Sequence, residues 1–138
     1  MEKTLVLLKP DAVVRKLCGE ILRRFENKGL NIADIRMLNI TPELARIHYS
    51  EHVNKPFYPD LEKYITSSPV VAVILEGESA VAVVRKMIGS TNAADAESGT
   101  IRGDLALSNR QNLVHASDSS QSAKREIELF FPNQKNLN

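Results

Sequence analysis

The stretch VVAVIL, residues 70–75, contains six consecutive apolar residues and ends at Glu76 and Gly77. A short apolar run that is rich in β-branched residues and closed by a charge and a glycine is typical of a strand buried on both faces. We therefore expect it to be the central strand of a sheet, and the other elements can be assigned around it.

The sequence before this strand predicts a strand, a helix and a second strand. TLVLL, residues 4–8, is followed by KPD and predicts a short buried strand that the proline stops. GEILRRFENKG, residues 19–29, has its apolar residues on one helical face and Gly29 as a C-terminal cap. LNIADIRMLNI, residues 30–40, predicts a strand whose alternation slips near Ala33.

Two helices are predicted between the second strand and VVAVIL. Thr41 and Pro42 are typical of the N-cap and first position of a helix, which should continue through ELARIHYSEH, residues 43–52. DLEKYITSS, residues 60–68, predicts a second short helix.

The remainder of the chain predicts a helix, a long loop, a strand and a closing helix. SAVAVVRKMIG, residues 79–89, has helical spacing, and an extended polar loop without clear periodicity follows near residues 90–112. NLVHA, residues 112–116, is a candidate strand, and SAKREIELFF, residues 122–131, has an apolar stripe at helical spacing.

This order of elements indicates the fold class. Mixed βαβ and ββ neighbours are typical of an α/β (α+β) ferredoxin-like sandwich with βαββαβ order, in which an antiparallel or mixed sheet is covered by helices on one face. No repeat or flexible linker divides the sequence, so we expect one domain over residues 1–138.

Composition excludes several classes of protein. Eighteen basic and 17 acidic residues give a net charge of +1, and 43% of the residues are hydrophobic, so neither disorder nor a polycationic nucleic-acid binder is indicated. The one cysteine, Cys18, cannot form an internal disulfide. No apolar run has membrane-spanning length, and the first residues do not resemble a signal peptide. We expect a cytoplasmic protein with no membrane partner and without nucleic acid as its main partner.

The stretch RQNLVHASDS, residues 110–119, places His115 on a predicted strand edge facing the polar loop. A neutral imidazole can act as a base, a nucleophile or a metal ligand, although a lone histidine among polar residues is usually only solvated. Lys9, Arg85 and Arg102 lie at or beside the ends of predicted elements, where cations can meet an anion.

Several blocks of the sequence carry a resemblance to a known family. NLVHASD resembles the Asn-x-x-His-Gly/Ala-Ser-Asp signature of nucleoside diphosphate kinases, and five further blocks resemble that family in its order and spacing: LLKPDAV, HYSEHVNKPFYPDL, SPVVAVILEG, GSTNAADAESGTIRGD and SAKREIELFF. The resemblance implies a phosphotransferase that moves the γ-phosphoryl group from a nucleoside triphosphate to a nucleoside diphosphate. It also implies a ping-pong mechanism through a pros-phosphohistidine at His115, with broad tolerance of base and sugar.

The resemblance further implies a role for residues around His115. Glu126 and Ser117 match groups that orient the imidazole, although Glu126 on its own would be an exposed helix charge. Tyr49 matches a phenol near the transferring phosphate, and His52 could lie near the phosphates.

Seven residues match the family's nucleotide-binding positions. Lysine and arginine should contact the phosphates, a hydroxyl should donate to them, an amide should bind the ribose 3′-hydroxyl, and an aromatic ring should stack on the base beside a leucine. In that order, these positions are Lys9, Arg85, Arg102, Thr91, Asn112, Phe57 and Leu61.

HYSEH, residues 48–52, also allows a metal site, because His48 and His52 would face the same side of a helix. Zinc sites of the H-E-x-x-H type require a glutamate directly after the first histidine and a third ligand, whereas Tyr49 follows here. We therefore expect no metal held by the protein. The resemblance implies Mg²⁺ bound through the nucleotide phosphates.

The sequence departs from the family at a few positions. Ala116 and Ala12 replace common glycines, and alanine would be strained at either position if φ were positive. The stretch NRQN, residues 109–112, replaces a Gly-Arg-Asn sequence. The resemblance implies a homo-oligomer, either a tetramer or a hexamer.

Two other classes of function stay open. A regulator or nucleic-acid-binding protein could keep the fold without the kinase activity, although the near-neutral charge argues against it. A protein histidine kinase or phosphocarrier could use His115, although the matched nucleotide-binding positions favour a nucleotide acceptor.

Overall fold

The structure is a computed structural model that describes residues 1–133, and its centre is a four-stranded sheet. The strands are β1 (Glu2–Leu8), β2 (Asn31–Leu38), β3 (Val70–Gly77) and β4 (Val114–Ala116). Their spatial order is β2-β3-β1-β4, and every pairing is antiparallel. The ferredoxin-like α+β fold expected from the order of elements is confirmed, with an antiparallel rather than a mixed sheet.

The stretch VVAVIL lies in β3, one of the two inner strands. Residues 70–75 are all buried, and Leu5 of β1 pairs with Ile74 in the antiparallel register. The predicted slip in β2 is also present, because the register of β2 against β3 shifts between Ile32 and Asp34. An extra residue at this point is a β-bulge, which interrupts the alternation of side chains.

Helices connect the strands. They are α1 (Pro10–Val14), α2 (Cys18–Lys28), α3 (Pro42–His48), α4 (Tyr58–Ile65), α5 (Ala80–Ile88), α6 (Ile101–Leu105) and α7 (Ser120–Phe130), with a 3₁₀ turn at Ala93–Asp95. Gly29 ends α2 in the left-handed conformation, as the sequence predicts. Within residues 1–133, no helix combines the length and the apolar character that a membrane crossing requires.

Helices cover both faces of the sheet, so the prediction of one covered face is wrong. Successive residues of a strand point to opposite faces, and both sets are apolar in β1. Val6 and Leu8 belong to a core that includes residues of α2 and α5, whereas Leu5 and Leu7 belong to a core that includes residues of α3, α4 and α7. The continuous apolar runs of β1 and β3 therefore require a helical layer on each side.

Helix α3 is shorter than predicted. Thr41 caps it through a hydrogen bond from the backbone N–H of Leu44, but the helix ends at His48 and turns follow. At Tyr49 the backbone leaves the helical region, with φ of −102° and ψ of 32°. His48 and His52 therefore do not share a helical face, which removes the geometric basis of a metal site between them.

The segment near residues 90–112 is also more structured than predicted. It contains the 3₁₀ turn and α6, which begins after Thr100, whose hydroxyl accepts a hydrogen bond from the backbone N–H of Gly103. A further helix, α1, follows Lys9, where the sequence predicts only the end of a strand. Short helices of this kind have too few residues to show a hydrophobic period.

Candidate active site

A cleft of about 270 Å³ brings together residues that are far apart in the sequence. It lies where β4, the first turns of α1 and α6, the last turns of α3 and α5, and helix α7 meet. Nine of the predicted site residues line it: Lys9, Tyr49, His52, Arg85, Thr91, Arg102, Asn112, His115 and Glu126.

His115 is held in the cleft by one of its two ring nitrogens. Its side chain is 24% exposed, and Nε2 lies 3.0 Å from Oε1 of Glu126 on α7. The Ser117 hydroxyl donates to the same carboxylate oxygen over 2.6 Å. Within residues 1–133, Nδ1 of His115 forms no hydrogen bond. The ring therefore has one nitrogen anchored and the other unengaged.

Glu126 is buried, in contrast to the exposed helix charge that it would be on its own. Burial alone would raise the pKa of its carboxyl group, but the hydrogen bond and positive charge of His115 and the hydrogen bond from Ser117 outweigh this effect and lower the pKa. The carboxylate is then ionised and can only accept. The hydrogen atom must consequently lie on Nε2 of neutral His115, which leaves a lone pair on Nδ1.

Lys9 and Asn112 form a pair on another wall of the cleft. The Lys9 ammonium donates to Oδ1 of Asn112 over 2.9 Å, and Nδ2 of Asn112 donates to the backbone oxygens of Thr91 and Asn109. Burial and the neighbouring charge of Arg102 lower the pKa of Lys9 to about 8. The amide of Asn112 is thereby fixed in one orientation at the edge of the cleft.

The two arginines differ in their surroundings. Arg85 is exposed and donates one hydrogen bond, from Nη1 to the backbone oxygen of Ala116 over 3.2 Å. Arg102 is buried and donates to the backbone oxygens of Asn112, Gly89 and Val114. Burial and the charge of Arg85 lower the pKa of Arg102 to about 10, so it still carries its charge at neutral pH. Arg102 thus connects three backbone segments that border the cleft and also supplies positive charge.

His48 is a residue of the site that the sequence indicated only as a possible metal ligand. Its ring lies edge-on to His115 with the centroids 4.8 Å apart, and it also contacts Tyr49 and Phe130. Both ring nitrogens are buried without a hydrogen-bond partner in the described part of the chain. Burial and the charge of His115 lower the pKa of His48 to about 3, so its ring is neutral at physiological pH. Its position four residues before His52 in the HYSEH stretch gave no signal of this contact.

Tyr49 and His52 continue this group of rings, because the centroid of the Tyr49 ring lies 4.5 Å from that of His48 and 6.3 Å from that of His52. Burial and the charge of Glu126 raise the pKa of Tyr49, so its phenol stays protonated. Nδ1 of His52 lies 3.0 Å from the Lys55 ammonium, and its ring centroid is 5.6 Å from that of Phe57.

Three predicted site residues do not line the cleft itself. Phe57 is 43% exposed and lies beyond His52, and Leu61, which is half-buried, follows it one turn later on α4. Ser117 is fully buried behind Glu126. Phe57 and Leu61 are thus apolar residues outside the polar cleft, and Ser117 donates a hydrogen bond to the Glu126 carboxylate from behind it.

The charges around the cleft favour an anion over a metal ion. Among the described residues, His48, His115 and Glu126 offer one ligand atom each within 4.8 Å of one another. Lys9, Arg85, Arg102 and Arg125 line the same cleft and would repel a cation. Mg²⁺ prefers several oxygen ligands, and this group supplies one carboxylate. The residues do not fit a resident Mg²⁺.

The alanines that replace common glycines are not strained. In the described part of the chain, the residues other than glycine with positive φ are Lys16, Ser79 and Leu113. Ala12 and Ala116 are therefore in ordinary backbone conformations, and the concern raised by the sequence does not apply to them.

Comparison with known proteins is consistent with this site. The family model described as nucleoside diphosphate kinase matches residues 2–136. The nucleoside diphosphate kinase of Rhodopirellula baltica is 58% identical over 131 residues, which are 95% of this chain and 86% of that protein. The enzyme of Rubrobacter xylanophilus is 60% identical over 95% of this chain and 98% of its own length.

Solved structures agree with the sequence comparison. A halophilic nucleoside diphosphate kinase from Halobacterium salinarum, solved in complex with CDP, has a TM-score of 0.94 and 45% identity and covers 96% of this chain and 89% of its own. The nucleoside diphosphate kinase of Encephalitozoon cuniculi, solved without ligand, also has a TM-score of 0.94, with 38% identity over 97% of this chain and 91% of its own. The fold, the cleft and these matches together show that the chain belongs to the nucleoside diphosphate kinase family.

Proposed function

We propose that His115 carries the phosphoryl group between nucleotides through its Nδ1 atom. The observation that supports this most directly is the anchoring of Nε2 by Glu126, which leaves the Nδ1 lone pair unengaged in a cleft that four cationic side chains also line. In the first half-reaction, Nδ1 attacks the γ-phosphorus and the bond to the β–γ bridging oxygen breaks, so the diphosphate leaves. In the second, the terminal oxygen of another diphosphate attacks the phosphohistidine, and the P–N bond breaks.

The cationic and hydroxyl groups of the cleft would hold the phosphates in line with His115. We assign Lys9, Arg85 and Arg102 to the phosphate oxygens, because charge-assisted hydrogen bonds stabilise the charge that spreads over the transferring group. Thr91 and Tyr49 can each donate a hydroxyl hydrogen, and His52 lines the same cleft beside Tyr49 and would lie near the phosphates. Ser117 and Glu126 orient the imidazole throughout.

The nucleoside half of the substrate would lie toward the mouth of the cleft. We assign Asn112 to the ribose 3′-hydroxyl, and Phe57 to stacking on the base beside Leu61. An exposed ring contacts the face of any base without reading its edge, which explains broad base tolerance. Mg²⁺ would arrive on the phosphates, because the carboxylate and imidazoles of the cleft do not form a site for it.

We further infer a homo-oligomer built from one domain over residues 1–138. Strand β2 lies at the edge of the sheet, and Ile35 and Met37 on it are 45% and 62% exposed. Exposed apolar residues on an edge strand, which pairs on one side only, favour association with a second copy. Light scattering would separate a tetramer from a hexamer. A cytoplasmic site of action agrees with the single free cysteine, Cys18.

The test is transfer from γ-labelled ATP with Mg²⁺ and without acceptor. We expect an acid-labile label on the protein that GDP, CDP and dTDP each discharge, and no label on His115→Ala, whose folding is checked by circular dichroism. Absence of label on the folded wild-type protein would remove the kinase mechanism and favour a non-catalytic binding role. Label that passes to no nucleoside diphosphate would instead favour a phosphocarrier.

A further inference from the structure

Leu113, which directly precedes the strand carrying His115, has an uncommon backbone conformation. Its φ is 75°, and its side chain is fully buried. This left-handed region is unfavourable for a leucine, so it persists only where the surrounding contacts determine it. The residue before it is Asn112, which the proposed function places at the ribose.

Both backbone polar groups of Leu113 are bonded to the segment that follows β1. The N–H of Leu113 donates to Oδ2 of Asp11 over 3.1 Å, and the C=O of Leu113 accepts from the N–H of Lys9 over 2.8 Å. Asp11 is buried, although it lies in the first turn of α1. Its carboxylate is therefore a fixed acceptor for a backbone N–H more than a hundred residues away in the sequence.

The second oxygen of Asp11 is held by Tyr64. The Tyr64 hydroxyl, on α4, donates to Oδ1 of Asp11. Burial and this hydrogen bond raise the pKa of Tyr64, so the phenol remains a donor at physiological pH. Tyr64 and Leu113 thus fix the carboxylate from both sides.

The turn at Leu113 determines where the side chain of Asn112 points. With this backbone conformation, Oδ1 of Asn112 accepts from the Lys9 ammonium over 2.9 Å and Nδ2 donates to the backbone oxygen of Thr91 over 2.9 Å. If Leu113 relaxed to a negative φ, the peptide before it would rotate and these two contacts would change together.

We propose that Asp11 and Tyr64 are positioning residues for the ribose-binding amide of Asn112. They act through the backbone of Leu113, and this inference rests on the proposed role of Asn112. Neither residue lines the nucleotide cleft; both line a separate pocket of about 200 Å³. A substitution at either position therefore reaches the substrate through Leu113 and not by direct contact.

The experiment compares Tyr64→Phe with Tyr58→Phe, both on α4. The Tyr58 hydroxyl also donates to a carboxylate, that of Glu62, over 3.0 Å, but within residues 1–133 it forms no hydrogen bond with Asp11 or Leu113. Calorimetry would measure the binding of GDP and of 3′-deoxy-GDP, which lacks the group that Asn112 is proposed to bind. We expect wild type to prefer GDP, and Tyr64→Phe to lower that preference by about 3- to 10-fold, as the loss of one hydrogen bond implies. Tyr58→Phe should keep the wild-type preference.

Asp11→Asn provides a second variant of nearly the same shape. The amide nitrogen of the new asparagine cannot accept a hydrogen bond. Its one oxygen can therefore replace the carboxylate oxygen that accepts from Tyr64 or the one that accepts from Leu113, but not both. Both changes break the same chain of contacts. The double variant Asp11→Asn/Tyr64→Phe should therefore lose no more of the preference for GDP over 3′-deoxy-GDP than the single variant with the larger loss.

Equal weakening of both nucleotides in Tyr64→Phe and Asp11→Asn would mean that the pair only stabilises the fold, and would overturn the inference. Wild-type protein that binds both nucleotides equally would also overturn it, because Asn112 would then not read the 3′-hydroxyl. Label transfer on the same preparations tests the proposed function separately: preference for GDP without label would remove the kinase mechanism and leave the positioning role standing.

Discussion

His48 is a buried, neutral imidazole beside His115, and its burial should make stability depend on pH. Its pKa is lowered from 6.5 to about 3 by burial and by the charge of His115, so the unfolded chain takes up a proton between these values and the folded chain does not. Stability is therefore lost as pH falls below about 6.5, and at pH 5 His48 should account for about 2 kcal/mol of the loss relative to pH 7.

Urea unfolding at pH 7, 6 and 5, at one protein concentration, would measure this effect. His48→Phe keeps an aromatic ring without a titrating group, so we expect it to lose about 2 kcal/mol less than wild type between pH 7 and 5. His52→Phe is the matched control, because His52 is only half-buried and has a hydrogen-bond partner. Parallel pH profiles for wild type and His48→Phe would contradict the assignment.

Glu126 should affect the rate of transfer more than the binding of nucleotide. It holds Nε2 of His115 and accepts from Ser117, but it lies behind the ring and is not assigned to the phosphates. Replacing its charge in Glu126→Gln weakens two charge-assisted hydrogen bonds, so we expect kcat to fall by about 10- to 100-fold with little change in KM.

Steady-state kinetics with varied GDP would measure this split. Glu128→Gln, at an exposed position on the same helix, removes an equal charge and should leave kcat unchanged. A rise in KM with unchanged kcat in Glu126→Gln would show that the carboxylate contributes to binding and not to the orientation of the imidazole.

The sequence predicts a site residue where a motif identifies it. It does not predict the geometry of the site. NLVHASD identified His115, and nothing in local spacing showed that Glu126 is buried or that Leu113 has a positive φ. His48 was considered only as a metal ligand, because its contact with His115 depends on tertiary packing. Burial and backbone strain arise between distant segments, so a single sequence carries little signal of them.

Helix α6 depends on a close approach that only glycine allows. A Cβ atom on Gly103 would lie 1.9 Å from the carbonyl oxygen of Glu97. Gly103→Ala would therefore push α6 away from the preceding turn and displace Arg102, the residue before it. We expect a loss of about 1–3 kcal/mol in stability, together with weaker nucleotide binding.

Gly19→Ala is the matched control, since a Cβ there meets nothing within 4 Å. Gly19 lies in the first turn of α2, where alanine is tolerated at least as well as glycine, so this variant should keep or slightly increase the stability. Denaturant unfolding and GDP calorimetry on both variants provide the measurement. Unchanged stability in Gly103→Ala would show that α6 can shift without cost.

The elements themselves were predictable where a period extends over several turns. Residues of α2, α5 and α7 show helical spacing, and β3 is a continuous apolar run. The short helices α1 and α6 were not predicted, because five residues are too few to show a period. The predicted extension of α3 past His48 is wrong: the helix ends there without a breaker residue, at the point where the His48 ring packs against His115 and Tyr49.

In the molecule as a whole, helices cover both faces of the sheet, and its two edge strands differ in exposure. At one edge, β4 is short and carries His115, and the following helix α7 returns over the sheet. At the other edge, β2 is longer and exposes Ile35 and Met37. Catalysis and association are thus proposed at opposite edges, and the family resemblance further implies that the segment near residues 90–112 contacts neighbouring subunits. We therefore expect assembly to influence the cleft through that segment.

Met37→Lys tests this link, because a lysine on an exposed strand edge opposes pairing with a second copy. We expect light scattering to show smaller species and transfer activity per subunit to fall, since Thr91 and Arg102 both belong to the segment that neighbouring subunits would support. Ile47→Lys adds the same charge at an exposed apolar position on α3 and should change neither quantity. If Met37→Lys yields a verified monomer with full activity, the cleft is complete in one subunit, and assembly must serve stability alone.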